Sequence, residues 1–287
     1  MAKTKSYATA TAFRRAVEDR LRLIAEKDKL SIERLRRELA FDRLLARLFA
    51  RANAPWVLKG GYALELRIKE ARATKDIDMA WIDTLGKAKP LNQAIFTALE
   101  EAAVVDLQDR FVFVIGELMR DLDAAPYGGA RFPVEARMDN RTFAEFHIDI
   151  GAGDVMMAPF DTTEGRDWLK FAGIPAVKYP TISQEQHFAE KVHAYTLPRP
   201  SASSRVRDLV DMLLLINSEK RMSPLLVKKA IDATFNRRKT HAMPASLQPP
   251  PADWKKSYAE LARQCGLSEG LDEAFRVLDG YLKSGEA

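Results

Sequence analysis

The sequence contains little of the residue types that build disulfide frameworks and zinc sites. Its 287 residues include one cysteine, Cys265, and four histidines. A single cysteine cannot form an intramolecular disulfide, and with so few histidines a zinc cluster is not expected. No apolar run approaches the roughly 18 residues that a membrane span requires. Residues 1–20 have no apolar segment of the kind found in secretory signals, so we expect a cytoplasmic protein.

Composition and length are those of a folded globular chain. Hydrophobic residues make up 47% of the sequence and charged residues 30%, which is ordinary for a globular domain. A chain of 287 residues can bury a sizeable core, and it can hold one large domain or two modest ones.

The positive charge is concentrated at the N-terminal end. The formal net charge is +5, and residues 1–59 contain 15 Lys and Arg residues against 7 Asp and Glu residues. A basic segment of this kind suits a polyanionic partner such as RNA. It suits an arginine-rich, solvent-exposed helical face equally well, so the sequence leaves both interpretations open.

The most informative pattern is a glycine turn followed by a pair of acidic residues. Lys59-Gly60-Gly61 opens a predicted helix, and Asp76-Ile77-Asp78 begins a predicted strand. Side chains two apart in a strand share a face, so Asp76 and Asp78 project together, opposite the apolar Ile77. Two such carboxylates repel each other, and a divalent metal relieves that repulsion. Because backbone N–H groups at a helix start bind phosphate, the pattern indicates phosphoryl or nucleotidyl transfer from a nucleoside triphosphate.

Hydrophobic periodicity outlines the rest of the chain. Two helices are predicted within residues 11–52, and they meet near Ser31, an N-cap candidate. Further helices are predicted at residues 62–70 and 91–104, and the sequence is predominantly helical from residue 184 onward. Strands are predicted at residues 56–58, 76–82, 111–115, 132–138 and 144–150.

These motifs resemble the nucleotidyltransferase superfamily, whose signature is a Gly-Gly or Gly-Ser turn followed by Asp-x-Asp. The form found here is Lys-Gly-Gly-x-Ala-Leu at residues 59–64 and Arg-x-Thr-x-Asp-Ile-Asp at residues 72–78. It is more specifically similar to the AbiEii/AbiGii toxin family, which includes the MenT toxins. Tyr62 stands where family members often carry Thr.

Two C-terminal patterns extend the resemblance. Glu190-Lys191 lies in a predicted helix capped by Ser183, and Arg205-Val206-Arg207-Asp208-Leu209-Val210-Asp211 opens a strongly apolar helix. Both patterns are similar to motifs of the toxin family. With them, the resemblance covers the chain from about Lys59 to Tyr258.

The resemblance implies an α/β (α+β) fold, with a nucleotidyltransferase-type mixed sheet core, N-terminal helices and a helical C-terminal lobe. We place the N-terminal helices and the core within residues 1–176, and the helical lobe within residues 177–287. The change to predominantly helical sequence near residue 184 supports this division.

A third carboxylate is expected on an adjacent strand, because the superfamily uses one. Asp149 is the candidate, since polar and apolar residues alternate along the predicted strand at 144–150 and place Asp149 on its polar face. Asp154 competes with it but follows two glycines in a predicted turn. A solvated strand carboxylate is the alternative interpretation of Asp149.

The resemblance assigns roles to individual residues. Catalytic roles fall to Asp76, Asp78, Asp149, Lys191 and Asp208, and the three strand carboxylates are the ligands of magnesium or manganese. Nucleotide-binding roles fall to Lys59, Gly60, Gly61, Thr74, Lys191, Arg205 and Arg207. A lysine suits this task because a compact ammonium stabilises negative charge developing on phosphate. These roles have structural alternatives. Lys191 could be a solvated helix lysine, and Asp208 and Asp211 could be acids favoured by the positive end of a helix. The role of Asp211 is left open.

The implied activity is transfer of a nucleoside monophosphate to the 3′ end of a tRNA, which blocks translation and growth. An AbiEi-type antitoxin is the implied antagonist, and nothing in the residues alone identifies tRNA. Two other interpretations remain open. One is nucleotidyl transfer to a small-molecule acceptor, and the other is a non-catalytic RNA-binding or partner-binding protein of the same fold.

Overall fold

A computed structural model describes residues 7–82, 90–122, 125–198 and 205–283. Its helices are α1 (Ala10–Asp28), α2 (Ile32–Leu48), α3 (Gly60–Arg67), α4 (Leu91–Ala103), α5 (Gln184–Thr196), α6 (Val206–Ile216), α7 (Pro224–Arg238), α8 (Trp254–Gln264) and α9 (Leu271–Lys283). Its strands are β1 (Trp56–Lys59), β2 (Asp76–Trp81), β3 (Phe111–Ile115), β4 (Arg120–Asp121), β5 (Gly129–Met138), β6 (Arg141–Ala152), β7 (Asp161–Glu164) and β8 (Lys178–Thr181). None of these helices is long and apolar enough to cross a bilayer.

The strands form one mixed sheet. Their order is β3-β5-β6-β2-β1-β8-β7, and β4 pairs with β5 beside this path. Strands β2 and β6 run parallel, whereas β5 is antiparallel to β3, β4 and β6. The predicted mixed α/β fold is therefore confirmed.

Local sequence signals predicted most of the helices close to their observed positions. The Ser31 hydroxyl accepts from the Arg34 N–H at 3.1 Å and caps α2, and the Ser183 hydroxyl accepts from the Gln186 N–H at 3.1 Å and caps α5. Both predicted N-caps are confirmed. The helix predicted at 62–70 lies instead at Gly60–Arg67, because Gly60 adopts a positive φ of 66° and lets the chain turn directly from β1 into the helix.

The described residues group into two compact units by their contacts. The first comprises residues within Met1–Leu58, Ala73–Gly153 and Thr162–Pro180, and the second those within Lys59–Arg72, Asp154–Asp161 and Thr181–Ala287. The division into domains at residues 176 and 177 stays a prediction.

Helix α2 builds the core of the first unit against β6. Leu39 and Leu44 are fully buried, and the Phe41 ring meets the Phe146 ring edge-on with centroids 4.7 Å apart. An edge-to-face aromatic pair adds about 0.5–1.5 kcal/mol beyond the area it buries. This packing holds β6, and with it Asp149, in a fixed position within the sheet.

Part of the N-terminal basic surplus is structural. Arg43 and Arg47 are 5% and 2% exposed, and both donate to the fully buried carboxylate of Asp109, at 2.6 Å from Arg43 and 2.7–2.9 Å from Arg47. Burial opposes the charge on Asp109, but the two arginines outweigh it and lower its pKa. These two arginines are therefore unable to contact a polyanionic partner, and the surplus available at the surface is smaller than the sequence indicates.

The second unit is built from helices. Side chains of α5 to α9 form a continuous buried cluster that includes Leu209, Leu213 and Ala274, each fully buried. Leu64 of α3 belongs to the same cluster and is 1% exposed. The glycine turn at the start of α3 is thereby fixed to the helical unit.

Candidate active site

Strand β2 presents its carboxylates on one face and its apolar side chains on the other. Ile77 and Met79 are fully buried, while Asp76 and Asp78 are half-buried. The predicted alternation is confirmed. Burial of the apolar face fixes the strand, so the two carboxylates are held on the same side of the sheet.

The parallel pairing of β2 with β6 brings the third carboxylate beside the first two. Asp78 is the direct partner of Asp149 in this register, and Asp76 is the partner of His147. Neighbouring strands lie about 4.8 Å apart, and paired residues point to the same face, so Asp78 and Asp149 are side by side. The predicted position of Asp149 on a strand adjacent to Asp78 is confirmed, while its chemical role stays a prediction.

An arginine that the sequence did not single out joins this group. Arg131 of β5 faces Asp149 across the antiparallel pair. Its Nε and Nη2 donate to the two oxygens of Asp149 at 2.6 and 2.7 Å, and Nη2 lies 3.3 Å from Oδ2 of Asp76. The hydrogen bonds to Asp149, together with the negative charges of Asp76 and Asp78, raise the pKa of Arg131.

The donor set fits a magnesium ion only in part. Asp76 and Asp78 offer hard carboxylate oxygens on one face, as magnesium prefers. Both oxygens of Asp149, however, accept hydrogen bonds from Arg131. Across the described ranges, no group of three or more His, Cys, Asp or Glu side chains is arranged to hold a metal ion. The residues fit a two-carboxylate site better than a three-carboxylate one.

The glycine turn has the geometry that its sequence requires. Gly60 has a φ of 66°, in the left-handed region that side chains with a Cβ disfavour. Lys59, the N-cap residue of α3, makes no capping hydrogen bond with its side chain, because an ammonium group has no acceptor for the first N–H groups of a helix. Such a start is suited to a phosphate.

Lys59, at the end of β1, lies in a cluster of four charges within the second unit. Its Nζ is 2.6 Å from Oδ2 of Asp154 and 3.3 Å from Oε2 of Glu190. Arg238 completes the cluster, with Nη2 2.9 Å from Oδ1 of Asp154. Burial opposes the charge of Lys59, but Glu190 and Asp154 together outweigh it and raise its pKa. Asp154 is thus the partner of two cations, Lys59 and Arg238.

Lys191 lies in a second buried charge cluster. Its Nζ is 3.1 Å from Oδ1 of Asp208 and 2.7 Å from Oδ2 of Asp211. Arg205 also binds Asp208, with Nη1 2.6 Å from Oδ2. Burial opposes the charge of Lys191, and the two aspartates outweigh it and raise its pKa. The lysine is therefore held cationic and in one place.

Asp211, whose role the sequence left open, is the centre of this cluster. It is fully buried and accepts a two-pronged contact from Arg72, with Nε–Oδ1 at 2.9 Å and Nη2–Oδ2 at 2.8 Å. Burial disfavours its charged form, but Lys191 and Arg72 outweigh it and lower its pKa. The cluster of Arg72, Lys191, Arg205, Asp208 and Asp211 carries three positive and two negative charges, so it keeps an excess positive charge.

The remaining predicted nucleotide-binding residues differ in their surroundings. The Thr74 hydroxyl is 3.3 Å from the carbonyl oxygen of Asp76, and the Thr74 carbonyl accepts from Nε of Arg37 at 3.1 Å. Thr74 therefore contributes to the backbone that leads into β2. Arg207 is exposed on α6. Of the two arginines that the motif offers, Arg205 is the one placed beside Asp208 and Lys191.

Three arginines of these clusters escaped the sequence interpretation of the site. Arg72 lies in the motif that carries Asp76, and the resemblance assigns it no role in the site. Arg238 is the last residue of α7 and lies three residues after the buried Phe235. Helical periodicity was thus the available signal for Arg238. For Arg131, on a strand of alternating burial, no comparable signal existed.

The sheet with its paired strand carboxylates, together with the glycine turn, defines a nucleotidyltransferase-type protein. The profile of the family described as "Nucleotidyl transferase AbiEii toxin, Type IV TA system" matches residues 43–278. The chain belongs to this family of nucleotidyltransferase toxins of type IV toxin–antitoxin systems. The predicted family membership is confirmed.

Of the similar solved structures, the MenT4 toxin supports the fold. The MenT4 nucleotidyltransferase toxin of Mycobacterium tuberculosis H37Rv is 15% identical, with a TM-score of 0.55 and 98% of each chain covered. JHP933 from Helicobacter pylori is 15% identical, with a TM-score of 0.45 over 90% of this chain and all of its own. The antibiotic-resistance factor ANT(2″)-Ia is 16% identical, with a TM-score of 0.37 over 70% of this chain and 92% of its own. The comparison with curated protein sequences gives no significant match.

Proposed function

We propose that this toxin transfers a nucleoside monophosphate from a nucleoside triphosphate to the 3′ end of a tRNA or another RNA. The observation that carries this proposal is the register of β2 and β6, which sets Asp78 beside Asp149 on the face that also bears Asp76. Three acidic side chains on one face of a sheet repel one another, and the single guanidinium of Arg131 offsets only part of their charge. They suit a site for magnesium and a triphosphate.

The proposed reaction balances as a single displacement. A hydroxyl oxygen of the acceptor forms a bond to the α-phosphorus, and the bond between that phosphorus and the bridging oxygen of the β-phosphate breaks. Pyrophosphate leaves with the electron pair, and the hydroxyl proton passes to solvent. No nucleophilic side chain is needed, so catalysis depends on positioning and on stabilisation of charge.

Each part of the chain has a distinct task in this proposal. Asp76 and Asp78 hold magnesium, or manganese, which when bound neutralises charge on the phosphates. The N–H groups at the start of α3, after Gly60 and Gly61, donate to the triphosphate. Lys191, held by Asp208 and Asp211, supplies a fixed positive charge, and Arg205 and Lys59 are further phosphate-binding candidates. Asp149 belongs to the same group of strand carboxylates.

The proposed acceptor is an RNA, and the proposed antagonist is an antitoxin. Family resemblance supports an RNA acceptor, growth arrest as the outcome and an AbiEi-type antitoxin as the partner. The basic surplus of residues 1–59 supports a polyanionic acceptor, although Arg43 and Arg47 are bound to Asp109.

Incubation with labelled nucleotides tests the proposal. The purified protein is incubated with each α-labelled nucleoside triphosphate, MgCl₂ and total RNA, and in parallel with aminoglycosides in place of RNA. Label on tRNA is the expected result. Label on an aminoglycoside alone would show that the acceptor is a small molecule and not an RNA. No label under any condition, in a protein that still binds RNA, would contradict the enzymatic function.

Lys191→Ala should weaken use of the nucleoside triphosphate by about 2–4 kcal/mol in transition-state free energy, the range seen when a group that stabilises developing charge is removed. The ratio kcat/KM for the triphosphate measures this effect. Lys255→Ala is the matched control, because Lys255 is 65% exposed on α8. An unchanged kcat/KM in Lys191→Ala would reduce Lys191 to a structural partner of Asp208 and Asp211.

A further inference from the structure

Arg131 and Asp149 form a two-pronged ion pair within the group of strand carboxylates. The pair uses both oxygens of Asp149 and two nitrogens of Arg131, at 2.6 and 2.7 Å. Their side chains are 19% and 15% exposed. Forked contacts between a guanidinium and a carboxylate are the strongest of the charged hydrogen bonds and fix both partners in orientation.

This pair changes the charge that a metal ion meets. Asp76, Asp78 and Asp149 alone carry three negative charges, and Arg131 compensates one of them. Because Nη2 of Arg131 also lies 3.3 Å from Oδ2 of Asp76, the guanidinium lies at the edge of the group and next to the two remaining carboxylates. Proteins commonly bind magnesium through one or two carboxylates together with substrate phosphates, and Asp76 and Asp78 can supply that number.

We propose that Asp149 anchors Arg131 rather than ligating the metal, and that the anchored guanidinium binds a phosphate group of the substrate. The metal is then held by Asp76 and Asp78 alone. Arg131 then supplies a positive charge in addition to that of the metal ion. This inference rests on the proposed function, and it gives Asp149 a positioning role that differs from the role implied by resemblance.

The donors of Arg131 support a phosphate as its ligand. Hydrogen bonds within the described ranges use Nε and Nη2, and they leave Nη1 without a partner there. Arg131 and Asp76 line a pocket of about 660 Å³, which is also lined by the basic or titratable His147, Lys75 and Arg37 and by the acidic Glu135 and Glu145. A guanidinium that is held through two nitrogens and keeps the third for a ligand is suited to a phosphate. That phosphate belongs either to the nucleoside triphosphate or to the RNA backbone.

Binding of MnCl₂ to the substrate-free protein tests the role of Asp149. The decisive variant is the double substitution Arg131→Gln with Asp149→Asn, which removes one positive and one negative charge and keeps the net charge. Its Mn²⁺ affinity, measured by electron paramagnetic resonance, should stay within about twofold of wild-type, as expected of a change independent of the ligands. Asp78→Asn should lose about tenfold or more. An equal loss in the double variant would overturn the inference.

The two single substitutions should change the Mn²⁺ affinity in opposite directions. Arg131→Gln should bind Mn²⁺ more tightly than wild-type, because a competing cation is removed from the carboxylates. Asp149→Asn should bind Mn²⁺ more weakly, because the released guanidinium turns to Asp76. Arg137→Gln is the matched control, since Arg137 lies on the same strand, is 47% exposed and, among the described residues, forms its ion pair with Glu135. Weaker Mn²⁺ binding in Arg131→Gln would contradict the proposal.

Anomalous diffraction from Mn²⁺-loaded crystals of the wild-type protein gives a reading that does not depend on a variant folding. Manganese bound to Asp76 and Asp78, with Asp149 still on Arg131, is the expected result. A bond between manganese and Asp149 would overturn the inference.

Two binding measurements identify the source of the phosphate. Equilibrium dialysis with each nucleoside triphosphate and filter binding with total tRNA are compared between wild-type and Arg131→Gln. Loss of a charged hydrogen bond predicts about tenfold weaker binding in one of the two, and unchanged binding of both would remove the phosphate role. If wild-type protein transfers no label while the Mn²⁺ results hold, the proposed function fails and the anchoring of Arg131 stands.

Discussion

Asp78→Asn is expected to abolish nucleotidyl transfer while leaving the fold intact. Asp78 is half-buried at the centre of the carboxylate group and directly beside Asp149. Its neighbours Ile77 and Met79 carry the packing of β2, since both are fully buried. Loss of this carboxylate should lower kcat/KM by about 10²–10³-fold or more, the range for groups that stabilise charge in the transition state.

The control for this substitution is Asp121→Asn, which removes an exposed strand carboxylate of the same unit. Transfer by this control should equal that of wild-type. Thermal unfolding of both variants should occur within a few degrees of wild-type. Full activity of Asp78→Asn would eliminate the assignment of β2 as the metal-binding strand.

Asp211→Ala is expected to have the largest effect on stability. It leaves Arg72 and Lys191 buried without the carboxylate that both contact, at 2.8 and 2.7 Å. Removal of one member of a buried ion pair typically costs about 3–5 kcal/mol, because the remaining charge is uncompensated. Urea denaturation measures the change. Asp279→Ala serves as the control, since it breaks the surface pair with Lys283, whose side chain is 63% exposed, and such pairs contribute at most about 1 kcal/mol.

The pH dependence of unfolding gives an independent check on Asp211. Its pKa is lowered in the folded protein, because Lys191 and Arg72 outweigh the opposing effect of burial. The stabilisation is therefore complete above the ordinary aspartate pKa of about 3.9, and it is lost as the pH falls through the lower folded-state value. Asp211→Asn should show a smaller loss of unfolding free energy on acidification than wild-type. Identical slopes in the two proteins would contradict the role of this carboxylate.

Local sequence signals predicted the parts of the site that depend on one element. The alternation around Ile77 placed Asp76 and Asp78 on one face, and the same rule placed Asp149 on the polar face of β6. The glycines at 60 and 61 predicted the turn before α3. These features follow from side-chain periodicity and backbone sterics, which act over a few residues.

Pairings between distant residues could not be predicted in the same way. The partners Arg72 and Asp211 lie 139 residues apart, and Lys59 and Asp154 lie 95 residues apart. The alignment of Asp78 with Asp149 depends on the parallel register of two strands, which is set by the packing of the whole sheet. The bond from Arg131 to Asp149 follows from a second register. Composition and periodicity carry no information about either register.

The burial of Leu64 among the C-terminal helices has a consequence for synthesis on the ribosome. Leu64 belongs to a cluster whose other members include Phe188, Leu213 and Leu278, so α3 emerges long before most of its neighbours exist. Until those helices are translated, Leu64 lacks most of the cluster in which it is buried. A chain that stops early, for example at a nonsense codon before α5, would therefore be released with Leu64 without that cluster. The order of translation itself thus delays completion of the toxin until almost the whole chain has been made.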